Sequence, residues 1–311
     1  MIKLACHAMG TRFELALRGR DAALLRAAGQ QALDEIAIWH DRLSPFDPAS
    51  EISRINAHAG EPAVAVDAET FEFLTAAVDL ARQTGGLFDP TLGPLMEAWG
   101  FRGDPVDADA ARRAPIGWEH IELDPGKGRV RLRERGMRLD PGAIGKGWAL
   151  DRAAELLRRT IEGEALLHGG TSSVIAIGGA ALDPRERLGC IALTDDATMP
   201  YVLLHDAALG VSMPSGRTAH LGGEALGHVL DPTTRRPARG AVLAVAIAES
   251  AAAADAWSTA ILVAAERPAG TPEEVTTYVV PRDGPPQGPT GRHRAYFVIR
   301  TDSAREPERP S

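Results

Sequence analysis

The stretch Leu139-Asp140-Pro141-Gly142-Ala143-Ile144-Gly145-Lys146-Gly147-Trp148-Ala149-Leu150 places three glycines around one lysine, just ahead of a helical pattern. Glycines at such a turn let the backbone approach a ligand closely, and the helix start offers unpaired N–H groups to anions. Two nucleotide-binding folds open on a segment of this kind, and both fail here on spacing. A triphosphate loop of the form GxxxxGK[ST] requires Gly where Asp140 stands and Ser or Thr where Gly147 stands. A dinucleotide fingerprint requires GxGxxG after a strand, whereas Gly142, Gly145 and Gly147 fall as GxxGxG. A doubly wound parallel sheet is therefore unsupported. Lys146 reads either as a partner for phosphate or carboxylate or as a solvated lysine beside an ordinary helix start, and the segment alone leaves both open.

Working outward, residues 145–162 continue as a helix. Before them, turn-forming residues 124–128 separate strands at 121–123 and 130–132, a hairpin. A helix over 67–83 stops at Gly85-Gly86, and residues 87–103 read as loop and short helix. Residues 21–43 carry apolar side chains at helical spacing with Asp21 as N-cap, and residues 11–18 alternate as a half-buried strand does. After 162, short apolar runs punctuated by Gly and Pro predict mostly antiparallel strands to about 248. Ser250 caps an Ala-rich helix to about 265, and 278–280 and 295–299 read as late strands, with 281–291 an exposed loop. The fold class is α+β: one unit over 1–303 and a disordered polar tail over 304–311.

The chain of 311 residues is 44% hydrophobic and 24% charged, values of an ordinary globular protein. Its net charge of −8 repels polyphosphate, so no nucleic-acid partner is expected. Cys6 and Cys190 alone exclude a multi-disulfide scaffold and a cysteine zinc cluster. None of the nine histidines forms a His-Glu-x-x-His pair. Gly210-Val211-Ser212-Met213-Pro214 lacks the second glycine of a nucleophile elbow. No run reaches the roughly 18 to 20 apolar residues that span a bilayer. Leu4-Ala5-Cys6 has too few residues before it to act as a lipoprotein cleavage box, so a cytoplasmic location without direct membrane insertion is expected.

Asp255 and Thr259 lie four apart in the Ala-rich helix and project from one face. Such a pair suits Mg²⁺, which takes oxygen ligands and completes its shell with water and phosphate, or else the Asp bonds a neighbouring backbone or Arg. In Gly227-His228-Val229-Leu230-Asp231-Pro232-Thr233-Thr234, a short strand ends in a turn. There His228 reads as a general base for a hydroxyl or as a structural histidine.

Taken together the segments resemble the ApbE family of FAD:protein FMN transferases, from Met9 to about Val263. They are Met9-Gly10-Thr11, Ser50 to Asn56, Gly85 to Leu95, Trp99-Gly100-Phe101, Asp140 to Asp151, His228 to Thr234 and Ala254 to Ala260. The resemblance implies two closely joined lobes and a Mg²⁺ held by the Ala143 main-chain oxygen with Asp255 and Thr259. It implies contacts to FAD, as substrate, from Met9, Phe46, Leu87, Phe88, Asp89, Asp140, Lys146 and Thr234, and makes His228 the candidate base. The activity implied is transfer of FMN to a Thr or Ser of an acceptor flavoprotein, releasing AMP. The family's acceptor pattern, Asp-Gly-x-Ser/Thr-Gly-Ala-Thr, does not occur in the chain, so self-modification is not predicted. Phe46 stands where the family usually has Tyr, Arg235 where it usually has Gly, and His168 to Ser173 departs from Asn-x-Gly-Gly. The rival readings are an FAD pyrophosphatase and a protein that holds FAD without cleaving it.

Overall fold

Strands β1 (Ile2–Ala8) and β2 (Thr11–Gly19) form an antiparallel hairpin, and β2 buries Phe13, Leu15 and Leu17 on one face, as its alternation predicts. The computed structural model describes residues 1–103, 105–178, 190–192, 201–214, 218–221, 224–292 and 296–298. The tail expected at 304–311 lies outside the described residues. β1 was not read as a strand from the sequence, although Ile2, Leu4 and Cys6 alternate along it in half-buried positions at the sheet edge.

Helix α1 (Ala22–Leu43) starts on Asp21, whose carboxylate accepts from the Ala23 and Leu24 N–H groups. Ser50 caps α2 (Glu51–Ala57), a helix too short to show a period in the sequence. Next come β3 (Val64–Ala65) and α3 (Ala68–Gln83), capped by Asp67 and followed by Gly85 and Gly86 at φ 64° and 79°. The short helices α4 (Gly93–Ala98) and α5 (Ala108–Arg113) precede the predicted hairpin, β4 (Ile121–Asp124) and β5 (Arg129–Leu132), to which β3 adds a third strand.

A single 3₁₀ turn at Pro141–Ala143 feeds helix α6 (Gly145–Thr160). Then follow β6 (Gly163–Gly169), β7 (Ser173–Ile177), β8 (Cys190–Ala192), β9 (Tyr201–Leu203) and β10 (Ala207–Ser212). Two small hairpins, β11 (Thr218–Leu221) with β12 (Glu224–Gly227) and β13 (Leu230–Asp231) with β14 (Arg236–Pro237), precede β15 (Ala241–Ala248). Helix α7 (Ala251–Ala264) and strands β16 (Thr276–Pro281), β17 (Gln287–Thr290) and β18 (Tyr296–Val298) complete the described chain. β17 corrects the loop expected at 281–291. It pairs with β16 at the sheet edge, the position that tolerates its Gly288 and Pro289, and its residues are exposed.

The principal sheet runs β1-β2-β6-β7-β10-β15-β16-β17, with antiparallel ladders throughout. Its two faces separate by residue size. In β15, Ala244, Ala246 and Ala248 turn to the core shared with α1, α6 and α7, while Leu243, Val245 and Ile247 turn to a second core that includes Val202 of β9. The alanine face lets α7 lie close to the strands, which brings polar groups of α7 within reach of β7 and β10. A third, smaller core gathers Leu95, Trp99, Phe101, Ala219, Leu226 and Leu230 from α4, the turn after it and the β11–β13 region.

Candidate active site

Asp255 lies on the buried side of α7 and is only 4% exposed. Its Oδ2 accepts from the Gly147 N–H at 3.0 Å, and the Ser173 hydroxyl donates to both carboxylate oxygens at 2.8 and 2.9 Å. Burial pushes its carboxyl up to about 7, against the attraction of Lys146 and the hydrogen bonds from Ser173 and Gly147. A carboxylate so enclosed, faced by one lysine and two neutral donors, gains strongly from any further positive charge brought to it.

Two glycines set this enclosure. A β-carbon at Gly147 would lie 2.3 Å from the Ala251 carbonyl oxygen, so α6 and α7 touch backbone to backbone. One at Gly210 would lie 2.3 Å from the Ala254 oxygen, so β10 presses on the turn that carries Asp255. Ser212 ends β10 rather than a strand-to-helix elbow, and its hydroxyl meets that of Ser258 on α7 at 2.9 Å.

Trp148 N–H bonds to Ile144 O as the helical ladder of α6 begins, so Ala143 lies outside that ladder. The 3₁₀ turn bearing Ala143 packs against α7. Thr259, one turn after Asp255, is half-buried, and its hydroxyl donates to the Asp255 main-chain oxygen at 3.0 Å, which uses its proton and keeps its oxygen an acceptor. The Asp255 carboxylate, the Thr259 hydroxyl and the Ala143 carbonyl are all hard oxygen donors, the set that suits Mg²⁺. Among the described residues no three or more of His, Cys, Asp and Glu stand together, so a cation here rests on one carboxylate and needs ligand oxygens or water to complete its shell.

The loops around this centre are tied edge to edge. Asp140 caps the 3₁₀ turn through Gly142 N–H, its own N–H donates to Pro90 O at 2.8 Å, and its carboxylate pairs with Arg102. Arg102 in turn lies over the Phe46 ring, 4.6 Å from its centroid, and Phe46 is 67% exposed. Asn56 bonds both the N–H and the carbonyl of Leu139, which explains the Ser50–Asn56 motif as a brace for this turn. Met9, in the β1–β2 turn at φ 49°, has its sulfur 4.0 Å from where a Gly145 β-carbon would stand. Leu87 is half-buried. Phe88 is fully buried in the main core and would meet a ligand only through its main chain. The Asp89 carboxylate accepts from Thr91 N–H, Thr91 hydroxyl and Trp118 N–H, and burial raises its carboxyl, so this group holds its own loop in shape.

His228 follows β12 and is half-buried. The loop after it folds on Asp231, which accepts from Thr233 N–H, Thr234 N–H and the Thr234 hydroxyl. Trp99 Nε1 donates to Arg235 O at 2.8 Å, anchoring this loop to the end of α4. A β-carbon at Gly227 would lie 2.5 Å from Pro214 O, so the strand before His228 packs backbone to backbone against the segment that follows β10. Ser173, Arg102, Gly210 and Ser212 were not singled out as site residues from the sequence. The only signals were a serine pair after Gly169-Gly170 and a lone glycine in an apolar run.

Comparison with known proteins matches residues 9–271 to the ApbE family. A protein of Vibrio cholerae called FAD:protein FMN transferase is 28% identical over 255 residues, 79% of this chain and 75% of that protein. One of Rhodobacter capsulatus with the same description is 30% identical over 271 residues, 84% of this chain and 51% of that one. The crystal structure of an ApbE protein from Thermotoga maritima superposes with a TM-score of 0.78 at 29% identity, covering 92% of this chain and 96% of that one.

Proposed function

The chain belongs to the ApbE family, and on that premise we propose that it is a Mg²⁺-dependent FAD:protein FMN transferase acting on a Thr or Ser of a separate acceptor flavoprotein. The observation that carries this reading is the buried Asp255, held by Gly147 and Ser173 beside the Ala143 turn, Lys146 and Thr259. Ala143, Asp255 and Thr259 are the residues proposed to hold the cation. When bound, Mg²⁺ supplies charge neutralisation at the pyrophosphate of FAD.

The chain's own residues do the rest. Lys146 adds a fixed positive charge at the same end of α6, whose unpaired N–H groups favour anions. Met9, Phe46, Leu87, the Phe88 and Asp89 main chain, Asp140 and Thr234 line the loops where the dinucleotide would lie, with the exposed Phe46 ring as a stacking surface. His228 takes the proton from the acceptor hydroxyl as that oxygen bonds to the FMN-side phosphorus. The bond from that phosphorus to the bridging oxygen breaks, and AMP leaves with the electron pair.

Incubation with FAD, Mg²⁺ and a protein bearing Asp-Gly-x-Ser/Thr-Gly-Ala-Thr, followed by intact-mass measurement, tests the proposal. Wild type is expected to add one FMN to the acceptor and release AMP, and Asp255→Ala to do neither. FMN and AMP appearing without acceptor modification would replace the transferase by a pyrophosphatase. FAD retained intact would leave only a binding protein.

A further inference from the structure

Helix α7 begins with three N–H groups that its own ladder cannot satisfy, and two of them are taken by a residue from another helix. Ser250 hydroxyl accepts from Ala253 N–H at 3.1 Å. Asp151, on α6, accepts from Ala251 N–H at 2.7 Å through Oδ1 and from Ala252 N–H at 2.9 Å through Oδ2.

The converse bond runs the other way. Gly147 N–H belongs to the first turn of α6, and it donates to Asp255 of α7. Each helix therefore caps the start of the other with a carboxylate one turn further along: Gly147 and Asp151 share a face of α6, and Ala251 and Asp255 share a face of α7. The backbone contact at Gly147 and Ala251 sits between the two caps. Sliding one helix along the other breaks both caps at once.

We propose that Asp151 is a positioning residue, which fixes the axial register of α6 against α7 and thereby the place of Asp255 relative to Ala143 and Lys146. Burial raises the Asp151 carboxyl to about 6 despite both N–H bonds, so the charge is kept at a cost to the fold, as befits a group retained for geometry. The inference rests on the reading of Asp255 as a cation ligand.

The test is Mn²⁺ binding to the full chain, followed by electron paramagnetic resonance, with melting temperature in EDTA measured alongside. Asp151→Asn replaces the Oδ1 and Oδ2 pair, which takes one N–H each, by a single acceptor oxygen and an NH₂ group, and is expected to weaken Mn²⁺ binding by about tenfold or more, the usual effect of losing a residue that orients a ligand. Ser250→Ala removes a cap from the same helix end without touching α6. It is expected to lower the melting temperature and leave Mn²⁺ affinity within about twofold. Asp151→Glu keeps both oxygens on a longer arm, and is expected to fold and still bind Mn²⁺ weakly, which covers the case of an Asn variant that does not fold. Equal Mn²⁺ affinity in wild type and in the folded Asp151 variants, or equal loss in Ser250→Ala, would overturn the inference alone. A wild type that binds no Mn²⁺ would overturn the cation reading and this inference with it.

Discussion

Arg235 holds a left-handed backbone, φ 59°, at the position where Gly is usual in the family. That conformation costs a residue with a β-carbon roughly 1–2 kcal/mol. The guanidinium offsets the cost by donating to Ala114 O at 2.6 Å and Arg112 O at 3.3 Å, while Trp99 donates to Arg235 O. The departure is thus a second tether between the loop after His228 and α5. Arg235→Ala keeps the strain and loses both bonds, and Arg235→Gly loses the bonds but sheds the strain. Equilibrium denaturation should therefore find the Gly variant more stable than the Ala variant by about 1 kcal/mol. At the reacting end of the same loop, His228→Ala should lower the transfer rate by about 10²-fold or more while changing FAD affinity little, since a general base acts in the transition state. Equal losses in rate and binding would make His228 a binding residue.

Among the elements, α7 shows how backbone closeness creates the site. Gly210 lets β10 approach Ala254 and Asp255 to a distance that any side chain would forbid. Gly210→Ala should cost about 1–3 kcal/mol in stability, because sheet or helix must move apart, and should weaken cation binding with it. Gly126→Ala, in an open turn where the new carbon would meet only Asp124 Oδ1 at 3.5 Å, should stay within about 0.5 kcal/mol of wild type. Calorimetry and Mn²⁺ titration of the two variants check this contrast. The helices themselves were legible because their signals are local: Asp21 and Ser250 cap as read, Gly85-Gly86 ends α3, and Asp67, read as the first residue of that helix, proves to be its cap. The shared face of Asp255 and Thr259 was legible for the same reason. What Asp255 touches was not. Ser173 reaches it across 82 residues and Gly147 across 108, and such pairs follow from sheet order and helix register rather than from any period in the chain. Arg102 escaped for a similar reason, since its partners Phe46 and Asp140 belong to distant loops.

Across the whole molecule, buried carboxylates give stability a definite dependence on pH. Burial raises Asp151 from 3.8 to about 6, and raises Asp89 as well. A raised value in the fold means that the native state holds the proton more tightly than the unfolded chain does. The stability from that proton is complete below about 3.8 and is lost as pH climbs through about 6. The net charge of −8 acts in the same sense, because each proton bound reduces self-repulsion. As pH is lowered from about 7.5 to about 5.5 in EDTA, His168 acts in the opposite sense, because burial lowers its value and the unfolded chain takes up that proton first, so the comparison that isolates Asp151 is between wild type and a variant. Asp151→Asn removes one titrating group and leaves the rest of the charge in place. The melting temperature of wild type minus that of Asp151→Asn should accordingly grow more positive over the same interval, because only wild type regains a neutral group at that position. Scanning calorimetry of both proteins across this range reads the difference directly. A gap that holds constant with pH would mean that the Asp151 carboxylate is no worse solvated between the helices than in the unfolded chain, and that the reciprocal capping of α6 and α7 costs the fold nothing.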